Sequence, residues 1–221
     1  MSTGSTSPKP SSPSTAAARR RGRCSTPASP PRSRALESEV VPIQDHRDLD
    51  AFYAAPDPWG YENNPHDDRR RLELLSALPR RPYRRCLDIG CGDGFVTFSL
   101  PGEEIIGVDV SQKAVQWARQ RATTAADASR FRFEHASLFD LEPERLGRFD
   151  LVVITGVLYE QYIGKGRSVV RCLIDDLLEE GGILATCHIR DWLPPRFPYA
   201  LLDMTLYPYR EYTHQLEVYK K

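Results

Sequence analysis

A chain of 221 residues with 40% apolar content can bury the core of one ordinary domain, and its formal charge of zero hides an asymmetry. Residues 1–36 carry Lys9, Arg19, Arg20, Arg21, Arg23, Arg32 and Arg34 and no acid, which leaves 23 basic against 30 acidic residues in the rest. A body of that net charge repels phosphate backbones, so nucleic acid is a disfavoured partner, and apolar runs such as residues 151–158 fall far short of the ~20 residues of a membrane span.

Along the chain, residues 1–36 are Ser, Pro, Thr, Ala and Arg with almost nothing to bury, and are expected to form a disordered basic tail. An organelle transit peptide is the other reading of that composition, but the segment lacks the large apolar residues of an amphipathic face. Residues 37–84 are expected to form an N-terminal lid and helix. Pro65 suits a first helical turn, where its missing N–H costs nothing, and the helix is predicted over residues 66–78. Asp67 and Asp68 suit its positive end, with Leu72, Leu74, Leu75 and Leu78 as its apolar stripe.

Residues 85–221 then alternate short apolar runs with helical spacing. Strands are predicted at residues 86–89, 104–110, 131–136, 149–155 and 182–189, with two more around residues 207–212 and 215–219 after a short helix. Ser111 reads as the N-cap of a helix with Ala114, Val115, Ala118 and Ala122 on its inner face. A second helix carries Val169, Val170, Leu173, Ile174, Leu177 and Leu178, and Gly181-Gly182 reads as its left-handed cap. The expected fold is α/β: a Rossmann-like, doubly wound, mostly parallel sheet of seven strands under an N-terminal helical lid.

The segment Asp88-Ile89-Gly90-Cys91-Gly92-Asp93-Gly94 follows an apolar strand and opens toward a helix, so its glycines permit a tight turn against a ligand. Asp109 ends the second strand in Ile105-Ile106-Gly107-Val108-Asp109, where a carboxylate can accept both hydroxyls of a ribose. Two cofactors use this geometry, a nicotinamide dinucleotide and S-adenosylmethionine. The acid at Asp88 repels a pyrophosphate and suits the cationic aminoacyl end of the methyl donor, which favours the second.

Together, Leu87-Asp88-Ile89-Gly90-Cys91-Gly92-Asp93-Gly94 and Gly107-Val108-Asp109-Val110-Ser111 resemble the class I S-adenosylmethionine-dependent methyltransferases over residues 85–189. The resemblance implies that Asp88, Gly90 and Gly92 hold the donor's amino-acid end, Asp109 its ribose and Val110 its adenine face. It further implies that Ser137 and Leu138 border the adenine edge, although the family commonly has an acid where Ser137 stands. Thr155-Gly156-Val157-Leu158-Tyr159 corresponds to the stretch between donor and acceptor. Upstream, Asp57-Pro58-Trp59 with Asn64-Pro65 is similar to the nodulation methyltransferases, which N-methylate a deacetylated chitin oligosaccharide, and this adds Trp59 to the donor-binding set.

The implied function is methyl transfer from S-adenosylmethionine to an amine or hydroxyl of a small molecule, a sugar or natural-product scaffold. A nicotinamide oxidoreductase and a non-catalytic donor-binding protein are the alternatives. An amine acceptor must lose a proton, and Tyr159, Glu160 and His188 are the candidate catalytic residues, with Asp191 beside them. Asp175-Asp176 and Glu179-Glu180 read as the solvated face of a helix, so no metal is expected. Five cysteines, Cys24, Cys86, Cys91, Cys172 and Cys187, without a CxxC pair fit a reduced cytoplasmic compartment, and the expected form is a monomer or homodimer.

Overall fold

The computed structural model describes residues 45–221, so the expected basic tail and Cys24 lie outside the described residues. Two helices precede the sheet. α1 (His46–Phe52) starts where the Asp45 side chain accepts from the Arg47 N–H, and α2 (Pro65–Ala77) starts where Asn64 accepts from the His66 N–H, with Pro65 in its first turn.

The rest winds as β1 (Tyr83–Ile89), β2 (Gly102–Asp109), α3 (Gln112–Ala122), β3 (Phe131–His135), α4 (Pro143–Leu146), β4 (Phe149–Thr155), α5 (Glu160–Ile163), α6 (Arg167–Leu177), β5 (Leu178–Ile189), β6 (Ala200–Tyr209) and β7 (Tyr212–Lys220). These strands form one seven-stranded sheet in the order β3-β2-β1-β4-β5-β7-β6. β1 to β5 pair in parallel, and β7 runs antiparallel to both β5 and β6. The order reverses beside β1, and the carboxyl ends of β1, β2 and β4 meet at that point, which is where open α/β sheets bind ligands.

Both sheet faces are covered by apolar side chains. Leu87, Ile89, Val152 and Ile154 pack with Val170, Ile174 and Leu177 of α6, while Cys86, Ile105, Leu151 and Val153 pack with Leu74 and Leu78 of the α2 segment. Ser111 caps α3 by accepting from the Ala114 N–H, as its position predicts.

Six expectations are corrected. The Gly-rich loop opens no α-helix, only a 3-10 turn at Thr97–Ser99, and no α-helix directly precedes the last two strands. Gly181-Gly182 does not cap α6: that helix ends at Leu177, and Gly181 (φ +74°) lies within β5, where pairing with β4 shifts register between Phe149 and Leu151. Glu179 and Glu180 therefore lie on a strand, and only Asp175 and Asp176 are helical. The strand expected over residues 207–212 is broken by a hairpin turn at Arg210 and Glu211. On α2, Leu72 is exposed, whereas Asp67 and Arg70 are buried, so the polar start of the helix faces inward.

Between β5 and β6 the chain makes only a 3-10 turn at Arg190–Trp192, stopped by Leu193 with φ +50°, where a doubly wound sheet ordinarily carries a helix. Leu201, Leu202, Met204 and Leu206 of the edge strand β6 are correspondingly exposed. Among the described residues no helix is long and apolar enough to cross a membrane.

Candidate methyl-donor and acceptor cavity

The carboxyl ends of β1, β2 and β4, the N-terminal helices and the β6–β7 hairpin enclose a cavity of about 1330 Å³. Of the residues singled out in the sequence, Trp59, Gly90, Asp109, Val110, Ser137, Leu138, Thr155 and Tyr159 line it. Asp88, Gly92, Glu160 and His188 are not part of its wall.

The loop after β1 is shaped by conformation. Gly90 has φ +76°, and a Cβ there would collide with a methyl group of Val157. Gly92 has φ +56°, and its Cβ would come within 2.7 Å of the Tyr53 hydroxyl. The Gly92 N–H donates to Asp109 Oδ2 at 2.8 Å, and the Ser111 N–H donates to Asp109 Oδ1 at 2.8 Å. A carboxylate has about four acceptor positions, so Asp109 is fixed by two backbone amides and keeps capacity toward the cavity. Burial pushes its pKa above the ordinary carboxylate value, against the pull of those two amides.

Asp88 stands one layer behind the wall. Side chains alternate along a strand, and with Ile89 in the cavity wall Asp88 points to the other face. Its Oδ2 accepts from Thr97 Oγ1 at 2.6 Å, while its buried Oδ1 has no partner. Burial pushes the carboxyl up to about 6.

The candidate bases are otherwise engaged. His188 is 1% exposed and its Nε2 accepts from the Leu158 N–H at 3.2 Å, which ties the loop after β4 to the end of β5. Burial, with His214 nearby, pushes its imidazole down to about 3. The Tyr159 hydroxyl accepts from the Ile189 N–H at 2.8 Å, and burial raises its pKa well above the ordinary phenol value. Glu160 is exposed, with Tyr159 and Gln161 in the wall on either side of it, and Asp191 is exposed outside the wall.

Other residues reach the cavity from distant segments. Asp57 (φ +47°) closes the turn around Trp59 by accepting from the Tyr61 and Glu62 N–H groups, and Trp59 Nε1 donates to the Tyr53 hydroxyl. Arg70 is 6% exposed, lies over the Tyr61 ring and has an unpartnered Nε. Buried Asp67 holds this corner: it accepts from the Tyr209 hydroxyl at 2.7 Å and from Arg210 at 2.9 Å, with an Arg70 nitrogen 3.4 Å away. His214 stacks on Tyr209 with centroids 3.8 Å apart, and burial with the Arg70 and Arg210 guanidiniums pushes it down to about 3.

A profile of the methyltransferase domain matches residues 82–214. This chain belongs to the methyltransferase domain family. Membership of that family sets the nicotinamide alternative aside. Nodulation protein S of Rhizobium tropici is 32% identical over 149 residues, covering 65% of this chain and 59% of that protein. A ubiquinone biosynthesis O-methyltransferase of Xanthomonas axonopodis pv. citri is 28% identical over 144 residues, covering 62% and 58%. The chain thus spans under two thirds of the length of these curated relatives.

Among solved structures, the N-methyltransferase NodS of Bradyrhizobium japonicum WM9, in complex with S-adenosyl-L-homocysteine, superposes with a TM-score of 0.66 at 22% identity, covering 80% of this chain and 97% of that one. The magnesium protoporphyrin IX methyltransferase of Synechocystis PCC 6803, with bound S-adenosylmethionine, gives 0.56 at 17% identity, covering 80% and 98%. These likenesses show a shared fold.

The methyltransferase cavity fits the donor in its own chemistry. The turn at Gly90 is held open by its positive φ and by Val157 packed against it, Asp109 can take ribose hydroxyls, and Arg70 offers a permanent cation with unused N–H capacity for a carboxylate. Asp88, which the resemblance gave to the donor's amino-acid end, is buried behind Ile89 and Gly90 with one oxygen unpartnered and does not line the cavity. Arg70 gave no signal in the sequence beyond one arginine among three, since its burial follows from tertiary packing alone.

Proposed function

We propose that this methyltransferase moves the methyl group of S-adenosylmethionine to an amine or hydroxyl of a small-molecule acceptor, with a sugar or natural-product scaffold as the leading class. The observation that carries the reading is Asp109, held by two backbone amides at the end of β2 and facing the large cavity across from the Gly90 turn. Bound donor supplies a methyl carbon on a sulfonium, open to in-line attack by an acceptor lone pair.

In this reading the chain's contribution is alignment. Asp109, Gly90, Val110 and Thr155 hold one partner, Ser137 and Leu138 border its adenine edge, and the Tyr159 ring closes the wall beside it. Such alignment is worth up to ~7–11 kcal/mol. Ser137 already accepts from the Phe139 N–H at 3.2 Å, which leaves its own proton for a ligand. His188, Tyr159 and Glu160 are assigned no proton abstraction, since two are engaged by backbone amides and the third is outside the wall. The acceptor accordingly reacts with a lone pair already free.

The resemblance to Nodulation protein S supports an amine acceptor, and the ubiquinone O-methyltransferase likeness supports a hydroxyl. Free Cys86, Cys91, Cys172 and Cys187 support a reducing, cytoplasmic setting, and the acidic body supports an acceptor other than nucleic acid. Activity as a monomer or homodimer completes the reading.

Calorimetric titration with S-adenosylmethionine, S-adenosylhomocysteine and NAD, followed by a labelled-methyl screen of amino sugars and catechols, tests it. Micromolar binding of the first two alone and turnover of one acceptor class are expected. Binding without turnover of any acceptor would return the non-catalytic alternative, and absence of donor binding would overturn the reading.

A further inference from the structure

His214, near the start of β7, lies opposite Tyr207 of β6 and Ile189 of β5, so the three side chains share one face of the sheet. His214 and Ile189 both line the cavity. The imidazole Nδ1 is 3.4 Å from the Tyr207 hydroxyl and 3.6 Å from Cys187 Sγ, and those two atoms are 3.1 Å apart. Nε2, on the other side of the ring, has no hydrogen-bond partner among the described residues. The sealed side-chain nitrogens and oxygens without a partner there are Arg70 Nε, Asp88 Oδ1 and Tyr219 Oη, so Nε2 of His214 reaches open space, and the space beside it is the cavity.

One order of donors satisfies the buried cluster and leaves a lone pair facing the cavity. His214 Nδ1–H donates to the Tyr207 oxygen, the Tyr207 O–H donates to the Cys187 sulfur, and Nε2 carries the lone pair. That order also survives protonation of the ring, since an imidazolium donates from both nitrogens, whereas the reverse order would have to be turned round.

The charges around the ring are the guanidiniums of Arg70 and Arg210, with buried Asp67 beside both, while burial keeps Cys187, Tyr207 and Tyr209 protonated and His188 uncharged. Held down to about 3, the imidazole meets an acceptor in its neutral form. So weak a base cannot take the proton of an alkylammonium, but the oxonium formed when a hydroxyl oxygen is methylated is far more acidic than an imidazolium. Position agrees with this role. The Arg70 guanidinium is 5.8 Å from the centroid of the Tyr209 ring on which His214 stacks, and the sulfonium of a donor whose carboxylate rests on Arg70 is only a short aliphatic chain away from it.

Resting on the methyl-transfer reading above, we propose that His214 is a catalytic residue for a hydroxyl acceptor: the oxygen attacks the methyl carbon in line and its proton passes to His214 Nε2. The C–O bond forms as the C–S bond breaks, the C–S electron pair stays on sulfur, and the O–H pair stays on oxygen. The positive charge of the sulfonium thus ends on the imidazole, which returns its proton to solvent. Tyr207 and Cys187 are positioning residues that fix the tautomer, and a carboxylate on Arg70 offsets one of the two cations opposing the imidazolium.

Two measurements on the full chain test the assignment. In the nitrogen NMR spectrum of isotope-labelled histidine, with S-adenosylhomocysteine saturating and His214 identified from the His214→Gln or His214→Asn variant, Nε2 is expected to be the bare nitrogen from about pH 5 to about pH 8. A proton on Nε2 overturns the proposal. In a labelled-methyl assay with catechol and methyl glucoside as hydroxyl probes, His214→Gln, which can hydrogen-bond but cannot take a proton, should lower kcat about a hundredfold or more at neutral pH, with S-adenosylhomocysteine affinity within about twofold of wild type. On catechol the loss should shrink as pH rises toward about 10, where a phenol ionises by itself, a rescue that a merely structural role would not give. Equal kcat in both proteins, or a loss on catechol that is the same at every pH, overturns His214 as proton acceptor. Wild type that binds S-adenosylhomocysteine but methylates neither probe overturns the hydroxyl inference and leaves the donor reading standing. Wild type that does not bind S-adenosylhomocysteine removes both.

Discussion

The two halves of the cavity are built differently. The half proposed for the donor comes from short contiguous segments at the ends of β1, β2 and β4, and its shape is set by backbone: positive-φ glycines and two amides that clamp Asp109. The opposite half is assembled from the turn after β5 and the β6–β7 hairpin docked on α2, and its shape is set by side chains packed across more than a hundred residues of sequence, as in the Tyr209–Asp67 contact. A backbone-built site tolerates substitution poorly but announces itself in a motif. A side-chain-built site can be retuned one residue at a time.

The largest effect expected from this contrast is at Gly90. Gly90→Ala must adopt φ +76° and place its Cβ into Val157, so donor affinity should fall about a hundredfold or more. Titration with S-adenosylhomocysteine measures it, and a change under threefold would show that the turn is not part of the donor site. Next is Asp109→Ala, which removes charge-assisted contacts worth ~1.5–3 kcal/mol, hence roughly 10- to 150-fold in donor affinity. Unchanged affinity would place the ribose elsewhere.

Asp88 gives a pH signature. Its carboxyl is raised from 3.8 to about 6 in the fold, so between these values the folded state keeps a proton that the unfolded chain has lost. That stability is complete below the unfolded value and is lost as pH rises through about 6. Asp88→Asn should therefore lessen the fall in unfolding free energy of the donor-free protein from pH 4 to pH 7.5 by about 2–3 kcal/mol relative to wild type. Parallel pH profiles in urea unfolding would contradict the burial argument.

The smallest effect is at His188. Glutamine can still accept from the Leu158 amide, so His188→Gln should leave methyl-transfer kcat within about fivefold, well short of the 10²–10⁴ expected for loss of a general base. A hundredfold loss would restore His188 to the chemistry.

The same contrast explains what could be read from the sequence. Strand positions, the Gly-rich turn, Asp109 at the end of β2 and the Ser111 cap depend on residues near one another along the chain, and periodicity or spacing exposes them. Gly181 is ambiguous in the sequence because a strand irregularity and a helix cap demand the same left-handed backbone, and only pairing with β4 distinguishes them. Arg70 and His214 leave no local mark because their burial comes only from docking of the hairpin on α2, and Arg210 leaves none because its ion pair with Asp67 joins residues 143 apart. His188 stands at the carboxyl edge as expected, yet its ring nitrogen is used by a backbone amide, which no sequence pattern reports.

The shortened link between β5 and β6 also has a bearing on handling the protein. It leaves β6 as a ten-residue border among the described strands with Leu201, Leu202, Met204 and Leu206 exposed, whereas the opposite border, β3, is five residues long and carries Arg132 and Glu134. Concentrated or partly unfolded samples should therefore stick together along β6 first, and a lysine in place of Met204 is the substitution to try for improving solubility.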